Sequence, residues 1–188
     1  MNFWYPEFPL RRLPTIVGIT AAGALFAGLY GALHDQISYS ISEEYFTKLK
    51  FYQFAYANFG WPPRLFAAEV GVLATWWFGL VGGWLLARLG LAELWISGRR
   101  SCMLRVFTLA ATIAAAVGAL GVLAAVVRIQ LAGLNGWQEW QTGLRLHDPR
   151  AFVIVAYLHV ASYFGGLLGL TGAAVYVHRK RRELVDVR

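Results

Sequence analysis

The sequence predicts an all-α membrane protein: a bundle of four transmembrane helices with an amphipathic aromatic helix on its outer, periplasmic surface. Three observations lead there. Four apolar stretches, 13–33, 65–87, 103–127 and 151–177, each reach the roughly 20 residues needed to cross a hydrocarbon core. The 188-residue chain is 58% hydrophobic and 14% charged, against about 25% charged in a soluble domain. Its basic residues gather at one set of stretch ends rather than along a face.

Stretch 13–33 is longer than the roughly 7–15 apolar residues of a signal-peptide core. Leu29 and Tyr30 also spoil a small-x-small cleavage pattern before Leu33. It therefore reads as a retained helix. The outer segment 34–64 is dense in aromatics: Tyr39, Tyr45, Phe46, Phe51, Tyr52, Phe54, Tyr56, Phe59 and Trp61. Ser40 and Glu43 have capping-box spacing, with Ser42 the alternative N-cap. Tyr45, Leu49, Tyr52 and Tyr56 then share one helical stripe while Lys48 and Lys50 lie off it, as suits an interfacial helix. The Gly60-Trp61-Pro62-Pro63 turn leads into stretch 65–87.

An inner loop, 88–102, carries Arg88, Arg99 and Arg100 and joins stretch 103–127. Cys102, the sole cysteine, falls in this loop, which excludes a disulfide framework and a paired-thiol oxidoreductase. The second outer segment, 128–150, has a turn at Asn135-Gly136, then Trp137, Trp140 and His147-Asp148-Pro149. Stretch 151–177 ends in a basic tail, 178–188, with Arg179, Lys180, Arg181 and Arg182. The chain is thus expected to form a single integral membrane domain over 1–188.

The net charge of +7 fits topology better than nucleic acid, since no groove-reading or base-stacking module is present. Arg11, Arg12, Arg88, Arg99, Arg100, Arg105 and the 179–182 run all fall on one side. The positive-inside rule makes that side cytoplasmic, with both termini in. The expected location is a bacterial inner membrane. No nucleophile elbow, phosphate loop, inverted repeat or broken helix points to a hydrolase, nucleotide enzyme or transporter.

Ionisable residues within the spans are the functional signal, because each is costly in lipid unless paired or hydrated. At helical spacing, His34, Glu69, Arg128 and His159 each continue a stripe of small residues that includes Gly79xxxGly83 and Gly165xxxGly169. All four therefore lean inward, in one layer on the outer side. His34, Glu69 and His159 make two imidazoles and a carboxylate, with Asp35, Glu43, Glu44 and His147 in loop reach. Such a set suits zinc or iron, and manganese less well. Haem is disfavoured because His159 lies deeper than His34. A metal site requires His34, Glu69 and His159 to converge within roughly 4–6 Å, with Glu44 or Asp35 overhead.

Two other readings stand beside it. In one, Glu69 pairs with Arg128 across neighbouring spans, and the chain is an accessory or assembly subunit that self-associates or meets other membrane subunits through its glycine faces. In the other, Tyr30, Trp76, Trp77 and Tyr163 wall a quinone or lipid pocket.

Overall fold

The computed structural model describes residues 10–185, so residues 1–9 and the last three residues of the predicted tail lie outside the described part. All regular structure among the described residues is helical. Four long helices dominate: α1 (Leu13–Ile41), α2 (Pro63–Leu86), α3 (Ser101–Ala132) and α4 (Pro149–Val185). Each is long and apolar enough to cross a membrane. They overrun the apolar stretches that announce them. α1 continues eight residues past Leu33, and α2 runs on through a π-helical turn, Ala87–Leu91, into Ala92–Ile96.

Small residues decide which helices pair. α1 packs along α2, and α3 along α4, whereas contacts between the two pairs are sparse. In the first seam Gly31 lies against the Gly71 backbone and Gly23 against Gly79, so close that a Cβ at any of these positions would meet backbone atoms. Thr75 Oγ1 also donates across this seam to the Ala27 carbonyl at 2.7 Å. The second seam sets Gly165 against Ala114 and Gly169 against Ala110. This is the close small-residue approach by which membrane helices gain dispersion contacts in the absence of a hydrophobic drive.

This pairing corrects one expectation. The second and third spans, α2 and α3, are not packed neighbours, because the glycine seams commit each to another partner. Glu69 on α2 and Arg128 on α3 therefore do not pair. Arg128 instead donates to the carbonyls of Gly133 and Asn135, closing the carboxyl end of its own helix. Among the described residues, Glu69 Oε2 is buried without a hydrogen-bond partner.

Two apolar cores close the ends of the bundle. One gathers Ile16, Ile19, Leu91, Leu94, Val106 and Val177; the other gathers Tyr39, Tyr45, Phe46, Ala67, Phe152 and Val155. Beyond the first lies an ionic clasp. Glu93 takes Arg12 Nη1 at 2.7 Å and Arg181 Nε at 2.6 Å, tying the start of α1, the end of the second span and the end of α4. Gly90, at φ 139°, sits where a Cβ would strike the Arg181 side chain, so the positive φ and the clasp require glycine together. Cys102 is buried in the first turn of α3 rather than in a loop.

The second core is capped by residues 43–53, a helical turn Glu43–Tyr45, a π turn Phe46–Lys50 and a further turn Phe51–Gln53. Ser42 is the N-cap, its Oγ accepting from the Tyr45 N–H at 3.3 Å. The expected stripe is broken here. Tyr45 is buried and Leu49 packs on the core, but Tyr52 and Tyr56 are each 77% exposed. The wider π turn rotates the residues after it, so Phe51 takes the inward place against Phe46 and Phe66.

Candidate metal centre

His34 and Asp35 are consecutive in the last third of α1, which remains helical to Ile41. Asp35 is thus a helix residue 4% exposed, not a loop ligand. His159, 5% exposed, enters from the first third of α4. Because α1 runs past the apolar stretch, the depth offset expected between the histidines vanishes. Their rings meet edge to face with centroids 4.8 Å apart.

Hydrogen bonds fix both rings. His34 Nδ1 lies 3.1 Å from Asp35 Oδ1, and its Nε2 lies 3.1 Å from Ser162 Oγ on α4. With Asp35 ionised, its carboxylate accepts from Nδ1–H, which leaves the Nε2 lone pair toward the Ser162 hydroxyl. His159 Nε2 is 3.2 Å from Ser38 Oγ and 3.8 Å from Asp35 Oδ1. Ser38, fully buried, donates in turn to the His34 carbonyl at 3.1 Å. Tyr45 and Phe46 pack on the His159 ring, with centroids 4.8 and 6.1 Å away.

One ligand atom each from His34, Asp35 and His159 lies within 4.8 Å of the other two. Bonds of about 2.0–2.2 Å in a tetrahedral site would set ligand atoms roughly 3.3–3.6 Å apart, so side-chain adjustments of about 1 Å close the set. Two imidazoles and a carboxylate are a donor set for zinc or for non-haem iron, and they leave coordination positions open.

The remaining expected ligands are elsewhere. Glu69 does not join the group. Glu44 accepts from the backbone N–H groups of His147 at 3.0 Å and Asp148 at 2.8 Å, and pairs with Lys48. Burial pushes its carboxyl up, but these N–H groups and the ammonium outweigh that and hold it at about 2. His147 is exposed at the surface, and Asp148 N-caps α4 through the Ala151 N–H at 3.0 Å. The two His-Asp pairs therefore do different work.

Three participants carried weaker sequence signals. Ser38 follows His34 at i+4 and Asp35 at i+3, on the shared face of one helix. Ser162 lies over Gly118 of α3, where a Cβ would collide with its hydroxyl. Lys50 is turned toward the bundle by the π segment. Together with His34, Asp35, His159 and Ser162 it lines a cavity of about 490 Å³ between the two helix pairs.

Comparison of the chain with protein-family models, with curated proteins and with solved structures finds no match.

Proposed function

We propose that the chain is a multi-pass protein of a bacterial inner membrane that binds a divalent zinc or iron ion through His34, Asp35 and His159. The observation that carries this reading is the convergence of two imidazoles and a carboxylate, from two different helices, inside an otherwise apolar bundle. Ionisable groups at such depth are costly unless paired or hydrated, and so mark candidate sites. Three protein ligands leave a position for water or substrate, and the adjoining cavity gives access to it. An open coordination position is also what a catalytic metal would need. The group lies at the end of the bundle opposite the Glu93 clasp and the larger share of the basic residues, which makes it the periplasmic end if both termini are cytoplasmic.

The test is metal analysis of protein purified in mild detergent. The wild type should carry zinc or iron near one equivalent, and His159→Ala and Asp35→Asn should lose it while helicity by circular dichroism is retained.

A second reading is favoured by the hydrogen bonds between His34 and Ser162 and between His159 and Ser38. Here the cluster is a structural network in an accessory or assembly subunit, tying α1 to α4. On that reading the wild type carries no metal, copurifies with membrane partners, and loses stability when Ser162 becomes Ala.

A further inference from the structure

The cavity between the helix pairs is polar at one end only. On α1 its wall runs from Gly23 to Asp35, about 18 Å at helical rise. Phe26, Phe78, Phe107 and Leu170 line its length, together with the small residues Ala111 and Gly166. At about 490 Å³ it falls within the range of roughly 300–1,000 Å³ typical of small-molecule sites. The glycine seams draw each pair tight and leave the slot between the pairs.

At the polar end stands Lys50. Its Nζ faces the Tyr45 ring at 5.8 Å and, among the described residues, has neither a hydrogen bond nor an ion pair. Burial lowers its affinity for the proton, and the Asp35 carboxylate partly restores it. The Tyr30 hydroxyl, also in the wall, is buried and, among the described residues, has no hydrogen-bond partner within 3.5 Å. A cation balanced only through space by Asp35, and a hydroxyl without a hydrogen bond among the described residues, thus stand at the head of a long apolar slot. Unsatisfied buried polar groups carry a free-energy penalty that a ligand oxygen removes.

We infer that this cavity binds a long-chain fatty acid, its carboxylate against Lys50 and Tyr30 and its single acyl chain laid inward between the helix pairs. A diacyl phospholipid would need room for a second chain. A quinone would place one of its two carbonyls in the apolar part of the slot. The inference goes beyond the metal reading and does not depend on it: His34, Asp35 and His159 share the polar end of the cavity, but Lys50 and Tyr30, which would hold the carboxylate, are not among the proposed metal ligands.

The test uses the full chain in nanodiscs and the fluorescent polyene cis-parinaric acid, displaced by palmitate or by the matching alcohol. Saturable binding should be displaced by palmitate far better than by the alcohol. Lys50→Met should weaken the acid by about tenfold, the scale of one charge-assisted hydrogen bond, and abolish the preference over the alcohol. Gly166→Leu projects into the slot where a Cβ meets only the Phe78 ring, at 3.5 Å. It should block binding while metal content stays at the wild-type level, and Ala111→Leu is the second plug should the first fail to fold. Fatty acid should also be recovered by mass spectrometry from gently extracted protein. Non-saturable binding, equal affinity for acid and alcohol, plugs without effect, or recovery of a phospholipid or quinone instead would each overturn the inference. Loss of metal with binding intact would overturn only the metal reading.

Discussion

At the scale of single residues, the chain shows how neighbours rather than residue type decide what an ionisable group does. Glu44 and Glu69 were both candidate ligands, yet Glu44 is consumed by two backbone N–H groups and Lys48, and Glu69 lies outside the histidine group. The Glu44 clasp predicts a pH dependence. Its folded-state carboxyl is held near about 2, below the ordinary 4.5, so its contribution is complete above pH 4.5 and is lost as pH falls toward 2. The melting-temperature gap between wild type and Glu44→Gln should therefore be constant at neutral pH and close on acidification through that window. We expect a gap of about 1 kcal/mol, because the amide retains one acceptor and water screens the rest. The site itself was partly legible. His34 and His159 stood out as ionisable residues in apolar stretches, and Asp35 was within view. Ser38, and Lys50 as a residue of the cavity wall, were not, because their places depend on a helix that outlasts its apolar stretch and on a π turn.

At the scale of elements, glycine does two different things in the long helices. In the seams it permits backbone contact, and in the cavity wall it leaves space. The consequence is measurable by thermal melts in detergent. Gly71→Leu drives a side chain into the Gly31 backbone and should cost about 1–3 kcal/mol, as overpacking does. Gly166→Ala adds a methyl that meets only Phe78 at ordinary contact distance, and should change stability by less than about 0.5 kcal/mol. The four long helices were readable because apolar length alone announces them. Their partners were not. The GxxxG stripes mark a close approach without saying to whom, so α2 was expected beside α3 when its glycines in fact face α1. The aromatic segment failed differently: a stripe counted at 3.6 residues per turn cannot anticipate the wider π turn at Phe46–Lys50.

At the scale of the whole molecule, the two ends of the bundle are chemically opposite. One holds the Glu93 clasp with Arg12 and Arg181, beside Arg99 paired to Glu183 at 3.3 Å. The other holds the histidine cluster under an aromatic cap. The clasp gathers the start of α1 and the end of α4 at one end, so the membrane orientation reduces to a single choice. The Glu93 ion pairs are about one-third exposed, and Glu93→Gln should cost no more than about 1 kcal/mol. The clasp therefore aligns the helices more than it stabilises them. Charge instead predicts the orientation, since nine arginines and a lysine crowd that end close to the helix termini, where positive residues resist translocation. A phosphatase reporter fused after Arg188 should be inactive, and the same reporter inserted at Gly136, in the loop after α3, should be active. A fluorescent-protein reporter, which matures only in the cytoplasm, should give the converse pair. If activity appears at Arg188 and vanishes at Gly136, the bundle is inverted, and the proposed metal and fatty-acid sites would open toward the cytoplasm instead.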